Sequence, residues 1–311
     1  MLEYTPGALA AAVTLILVAC AGRPEPSPST ARTGSTAPDV PFVASPMEVV
    51  ETMLRLARLT GRDVIYDLGS GDGRIVIEAA RRVGARGVGV ELDPALVELS
   101  RRRADSAGVG DRVAFRRADI FETDLRPATV VTLFLGDRLN RRLRPKLFRE
   151  LRPGTRVVSN HFDMGEWRPD SVATARGRGV SATSVYLWVI PAHLAGVWRL
   201  RLERGAPSMP GTLELALGQR YRRVTGTASA PGRRLELRGV QLAGAAVALT
   251  LADLTRPDAP ITLRLAGTAS ADAMHGTFRL EPTGAAGTWH AHRERRGLAP
   301  PWDDADEPAP P

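Results

Sequence analysis

Three glycines at alternate positions, Gly69, Gly71 and Gly73, follow a short apolar run, and three acids, Asp67, Glu91 and Asp119, recur near them. Between a strand and a helix, such glycines let the backbone pass close to a ligand and adopt angles closed to other residues. An acid ~20 residues beyond the turn, at the end of the next strand, can accept hydroxyl protons from a ribose. Glu91 stands at that spacing. Nicotinamide-dinucleotide sites share this logic, but their G-x-G-x-x-G glycines lie farther apart to admit a pyrophosphate. The spacing here is tighter. Asp93 is read differently: it precedes Pro94 and suits the N-cap of a helix.

These residues need elements to hold them. Ser45-Pro46-Met47-Glu48 reads as a helix start, with Ser45 as cap and Glu48 closing a capping box. Met47, Val50, Leu54 and Ala57 continue at helical spacing, and Gly61 ends the element. Strands are expected at 64–68, 87–91, 113–117, 130–135 and 155–159, with helices at 74–83, 93–107 and 139–151 between them. Alternation of this kind implies a mostly parallel, twisted sheet with helices on both faces. A further strand is expected at 185–190. After about residue 195 the helical period disappears, and alternating segments at 198–202, 212–217, 233–237, 247–251, 261–265 and 277–280 read as a smaller all-β sandwich or barrel. Gly226-Thr227-Ala228-Ser229 recurs as Gly267-Thr268-Ala269-Ser270, which reads as pseudo-symmetry or as turn chemistry.

The run Asp67-Leu68-Gly69-Ser70-Gly71-Asp72-Gly73 resembles the first motif of class I S-adenosylmethionine-dependent methyltransferases, which have a Rossmann-like fold and a ligand without phosphate. The resemblance implies that Gly69, Gly71 and Gly73 flank the methionine part of S-adenosylmethionine, with Asp67 and Asp72 favouring its positive charges. It implies Glu91 on the ribose, and Asp119 with Ile120 facing the adenine. With Pro41-Phe42-Val43-Ala44-Ser45-Pro46 and Pro153-Gly154-Thr155-Arg156-Val157-Val158-Ser159, the chain resembles one group more narrowly. That group is the protein-lysine methyltransferases of the adenine nucleotide translocase and ATP synthase c-subunit type, with their bacterial relatives. The likeness covers about 41–191 and leaves out the β module.

Lysine methylation asks for alignment and for desolvation of a neutral amine. The segment Thr132-Leu133-Phe134-Leu135 suits an apolar slot, and Phe134 stands where relatives often carry tyrosine. In Asn160-His161-Phe162-Asp163-Met164-Gly165-Glu166-Trp167, His161 is a candidate proton acceptor, and Asp163 or Glu166 a candidate to orient an ammonium. Relatives commonly show His-Asp where this chain has Asn-His. The alternative is that His161 is a loop histidine and Trp167 a packing residue. His193, His275, His290 and His292 read as surface residues without a carboxylate to complete a metal site, so no metal is expected. Gly196-x-Trp198 with Arg293 resembles the lipocalin-like pairing of a tryptophan with an arginine across a closed barrel.

The net charge of +8 comes almost entirely from arginine, Lys146 being the only lysine, and it is interspersed with acids. That pattern argues against a dedicated nucleic-acid face. The single cysteine, Cys20, excludes an intramolecular disulfide. It ends an apolar run as Leu17-Val18-Ala19-Cys20, which resembles the lipobox of bacterial lipoproteins, although no basic residue precedes the run. The expected organisation is a lipoprotein-like signal segment at 1–20, a Pro/Ser/Thr linker at 21–40 and a methyltransferase domain at 41–195. An all-β module at 196–296 and an acidic tail at 297–311 complete it. Three functions stay open: a protein-lysine methyltransferase, a methyltransferase of small molecules or lipids, and an exported lipoprotein with a non-catalytic methyltransferase fold. The lipobox places the protein at the cell envelope through a lipid anchor; without it the protein is cytoplasmic.

Overall fold

A computed structural model of the chain describes residues 42–177, 180–203, 209–256 and 258–297. Cys20, the segment around it, the 21–40 linker and the tail from 298 lie outside the described residues.

The first sheet is built from β1 (Val64–Leu68), β2 (Arg86–Glu91), β3 (Val113–Arg117), β4 (Val130–Leu133), β5 (Arg156–Asn160), β6 (Ser171–Gly177) and β7 (Val180–Val189). Their spatial order is β3-β2-β1-β4-β5-β7-β6. The first five strands run parallel, as the alternation predicts, whereas β7 is antiparallel to both β5 and β6, so the sheet is mixed. β1 is central and nearly all buried, which puts its carboxyl end, Asp67-Leu68, at the reversal of strand order where ligands meet such sheets.

Helices α1 (Met47–Leu56), α2 (Arg74–Val83) and α3 (Pro94–Ser106) cover one face through Val50, Met53, Ile75, Val76 and Val97. The opposite face has α4 (Asp137–Glu150), whose Leu139, Leu143 and Leu147 sit among Tyr66, Leu133, Trp167 and Trp188. Tyr221, from the second half of the chain, joins that same apolar layer. Asp93 caps α3 as expected, accepting from Ala95 N–H at 2.8 Å. The capping box at α1 does not form. Its N-cap is Pro46 without a side-chain bond, because Ser45 is buried and engaged elsewhere: Asn160 Nδ2 donates to its hydroxyl and Arg74 to its carbonyl.

The second sheet is a meander of eight antiparallel strands: β8 (Gly196–Glu203), β9 (Thr212–Arg220), β10 (Arg223–Ser229), β11 (Leu235–Ala243), β12 (Ala246–Asp253), β13 (Ile261–Ala269), β14 (Ala273–Glu281) and β15 (Ala286–Arg296). β15 returns to pair with β8, and the edge strands β10 and β11 are joined by a bridge between Ala230 and Arg233, giving a nearly closed barrel. Alternate residues such as Leu200, Leu215, Leu249, Leu265, Phe278 and Trp289 fill its interior. Arg293 lies 4.1 Å over the Trp198 indole and donates to the carbonyls of Ala195, His193 and Ala271, so the Trp–Arg pair ties the barrel's end together. Of the repeated Gly-Thr-Ala-Ser segments, Gly226–Ser229 and Gly267–Ala269 are strand, while Ser270 opens the β13–β14 turn. A side chain at Gly226 or Gly267 would collide with the neighbouring strand's carbonyl, which explains both glycines by close backbone approach.

Candidate cofactor and acceptor site

The turn after β1 is fixed by its own backbone. Gly69 and Ser70 N–H groups both donate to Val90 O at 2.9 Å, which ties the turn to β2. Gly69, Gly71 and Gly73 have φ of 75°, 53° and 79°, in the left-handed region that favours glycine. Space excludes a side chain as well: a Cβ at Gly69 would stand 2.6 Å from Leu135, and one at Gly73 2.7 Å from the Phe115 ring. Gly89, which the motif does not include, is equally constrained, since a Cβ there would meet Phe115 at 2.5 Å.

Glu91 holds the same turn from the side. Its Oε2 accepts from Gly71 N–H at 2.9 Å, and its Oε1 accepts from Leu92 and Asp93 N–H at 2.8 and 3.1 Å. An ionised carboxylate offers about four acceptor sites, so about one is left for a ligand hydroxyl. The two acids of the motif differ sharply. Asp72 is enclosed by cations: Arg74 Nε and Nη2 donate to it at 2.9 and 2.6 Å, and Arg103 donates to Oδ2. Burial opposes its ionisation, but these two guanidinium groups outweigh burial and hold the carboxyl below its ordinary value. Asp67 is 3% exposed and accepts one bond, from Thr132 Oγ1 at 2.7 Å, with no cationic partner among the described residues. Burial pushes its carboxyl up to about 7; the charges of Glu91 and Asp72 add to the rise, and the Thr132 hydroxyl opposes it. Asp119 Oδ1 accepts from Phe121 N–H at 2.8 Å in a turn of its own, and Ile120 beside it packs on the α4-side apolar layer.

On the acceptor side, β4 ends at Leu133, so Phe134 belongs to the loop rather than to the expected longer strand. Its ring stacks on Phe162 at 5.7 Å, and His161 meets the Phe162 ring edge-on at 4.9 Å. His161 has φ of 67°, is exposed, and holds Thr183 Oγ1 with Nδ1 at 3.1 Å. Asp163 Oδ1 is taken by Gly165 N–H within its own loop, and Glu166 reaches away to Arg220 of β9 at 2.5 Å. Trp167 is 1% exposed and packs on Phe148, Trp188 and Tyr221, so it is a packing residue. Sequence reasoning missed Asn160. It is buried at the carboxyl end of β5, with Nδ2 on Ser45 Oγ and Oδ1 without a hydrogen-bond partner. Its position as the last residue of a buried parallel strand was the available signal. His290 and His292 each do have one carboxylate nearby, Glu203 and Glu294, but among the described residues no group able to hold a metal converges.

Residues 67–171 match the model of the ANTKMT methyltransferase domain. A protein-lysine N-methyltransferase of Saccharolobus islandicus is 41% identical over 160 residues, which is 51% of this chain and 99% of that protein. The chain belongs to this methyltransferase family. Mouse adenine nucleotide translocase lysine N-methyltransferase is 39% identical over 159 residues, 50% of this methyltransferase and 65% of that one. The human lysine N-methyltransferase of the ATP synthase c-subunit is 35% identical over 170 residues, 55% and 68% of the two chains. A solved RNA methyltransferase from Salinibacter ruber, in complex with S-adenosyl-L-homocysteine, is 55% identical; it covers 49% of this chain and 96% of its own, with a TM-score of 0.46.

S-adenosylmethionine is the cofactor of this methyltransferase. The residues present fit it. A buried carboxyl with no cationic partner among the described residues precedes a glycine cradle whose walls exclude side chains, and an acid at the end of β2 keeps an acceptor site open.

Proposed function

We propose that the chain methylates a lysine amine of a protein substrate, by in-line transfer from S-adenosylmethionine. The observation that carries this reading is the juxtaposition of a complete cofactor end at β1 and β2 with an aromatic wall, Phe134 on Phe162, at the ends of β4 and β5. The protein-lysine relatives support the choice of acceptor. When bound, the cofactor supplies a methyl group already activated on sulfonium. Asp67 is assigned to its ammonium, Glu91 to the ribose, and Asp119 with Ile120 to the adenine. Asp72, held by Arg74 and Arg103, is assigned to closing the turn.

The acceptor needs little chemistry from the protein. An amine laid against the stacked Phe134–Phe162 pair is desolvated, which lowers its pKa and yields the neutral nucleophile without a strong base. Holding it near 3–3.5 Å from the reacting carbon converts binding into rate. Asn160 Oδ1, unpartnered and buried, is suited to accept from the amine N–H and orient its lone pair. In the tautomer whose Nδ1–H donates to Thr183 Oγ1, His161 Nε2 is the acceptor for the proton that the product sheds. Asp163 Oδ1 shapes this loop by accepting from Gly165 N–H, and its second oxygen is assigned to orienting the ammonium. Among the described residues the barrel interior is packed with its own side chains, which argues against an enclosed apolar cup for a small molecule there.

The test supplies labelled S-adenosylmethionine to the full chain together with protein, lipid and RNA fractions of the native host. Label recovered as methyl-lysine after acid hydrolysis supports the reading; label in lipid or RNA with none in protein overturns it.

A further inference from the structure

We infer that the junction between the acceptor loop and the β barrel is a docking cleft for an acidic segment of the substrate protein. This rests on the protein-acceptor reading and gives it a selectivity element that extends beyond the 67–171 family match, because half of the cleft comes from the β module.

The cleft has a volume of about 630 Å³ and is lined by Glu166, Trp167 and Arg168 of the loop after β5 and by Arg220, Tyr221, Arg222 and Arg223 of the β9–β10 turn. The two sides are locked together. Tyr221 has φ of 54°, is 9% exposed, and lies nearly parallel to Trp167 with centroids 6.4 Å apart. Arg144 of α4 stacks over the Tyr221 ring at 5.6 Å and donates to Met164 O at 3.0 Å, so one guanidinium links the turn to the loop. Asn140 of α4 holds the same loop at the carbonyls of Phe162 and Asp163. The cleft is therefore rigidly continuous with the segment that carries His161 and Phe162.

Its charge is one-sided. Arg220 and Arg222 are answered by Glu166 and Asp170. Arg168 and Arg223 line the cleft and are exposed, and their guanidinium groups have no partner among the described residues. Guanidinium forks match carboxylates in paired hydrogen bonds. The aromatic walls, Trp167 and Tyr221, are buried, so no open ring face is offered for stacking a nucleobase. The exposed large apolar residues, Phe42, Val43, Met47, Val83, Leu92 and Val172, all lie outside the cleft lining, which disfavours a bilayer surface as occupant. A polypeptide carrying carboxylates fits both the recess and the charge. Bound there, it would present a nearby lysine to the loop that begins at His161.

The test uses the full chain and a fluorescein-labelled, glutamate-rich peptide without lysine, followed by anisotropy. The expected result is salt-sensitive binding that weakens about tenfold or more in Arg168→Glu/Arg223→Glu. Affinity for S-adenosylmethionine should be unchanged in that variant, which also reports that it has folded. Equal peptide binding by parent and variant overturns the inference, as does binding to phosphatidylglycerol vesicles or RNA with none to the peptide. A chain that binds the peptide through these arginines yet methylates no protein lysine refutes the acceptor reading while supporting the cleft as an acidic-peptide site.

Discussion

Gly71 N–H donates to Glu91 Oε2 at 2.9 Å, joining the middle of the glycine turn to the end of the neighbouring strand. The bond makes one acid responsible both for the shape of the cradle and for a ligand contact. Glu91→Ala should accordingly weaken S-adenosylmethionine binding by about 1.5–3 kcal/mol, because charge-assisted bonds are lost. It should also lower the melting temperature of the ligand-free protein, since three backbone N–H groups lose their acceptor. Calorimetric titration beside a thermal melt separates the two effects. Weakened binding with an unchanged melt would mean that the turn does not depend on Glu91.

The glycines of the turn should not be equivalent. At Gly73 an added Cβ meets the Phe115 ring at 2.7 Å and Ser100 Cβ at 2.9 Å, and both neighbours are buried in the core. Strain at positive φ and overpacking together should cost Gly73→Ala about 2–4 kcal/mol. At Gly71 the obstacle is the ring of Phe42, which is half exposed and free to swing aside. Gly71→Ala should cost only about 1–2 kcal/mol of stability. Urea denaturation ranks the pair, and the reverse order would contradict this account.

Asp67 predicts a pH dependence. Its folded value of about 7 lies above the ordinary 3.8, so its contribution to stability is complete below pH 3.8 and is lost as pH rises to about 7. A ligand ammonium beside the carboxyl reverses the preference, because a positive charge favours ionisation. Binding of S-adenosylmethionine below pH 7 should therefore release a proton, and affinity should rise up to about pH 7 and level off above it. Titrations in buffers of different ionisation enthalpy at pH 6 and pH 8 read this directly. Asp67→Asn should remove the difference, and a parent protein that shows no proton release at pH 6 rules out the assignment.

The cofactor end was legible because its signals are local. Alternating glycines, an acid at the next strand's end and the periodicity of β1 to α3 all act within ~20 residues. What escaped depends on distant partners. Ser45 has the residue type and position of a cap, yet Asn160 and Arg74 reach it from across the sheet. β6 was missed because only Ala175 of its described side chains is buried, and β10 because it turns only Val224 and Ala228 inward. Neither gives a strand much apolar alternation. The role of Tyr221 was invisible, since it lies between arginines in a turn and finds its neighbours in α4 and in the loop after β5.

Cys20 lies outside the described residues, and no helix among those described is long and apolar enough to cross a membrane. On the lipobox-like run alone, we propose that Cys20 is acylated. Metabolic labelling with a fatty-acid analogue in a bacterial host should tag the parent and spare Cys20→Ser. Absence of label from both, with the protein in the cytosolic fraction, would dismiss the anchor.

The docking of Tyr221 changes what truncation should do. Every assigned cofactor residue precedes Phe121, and the first sheet ends at Val189 while the barrel begins at Gly196, so a cut near Pro191 looks harmless on topology. The packing says otherwise. Among the described residues α4 is the only helix on the face that holds Trp167 and Trp188, and Tyr221 from the barrel closes over Trp167 and Phe148. Removing a buried aromatic ring of this size costs about 3–5 kcal/mol. A fragment of residues 41–191 should therefore bind S-adenosylmethionine but melt well below the 41–311 fragment and aggregate on warming. Tyr221→Ala in the longer fragment should reproduce most of that loss with the barrel still attached. If the short fragment is as stable as the long one, the barrel is a tethered module, and the contact between Tyr221 and Trp167 contributes nothing to holding the methyltransferase fold.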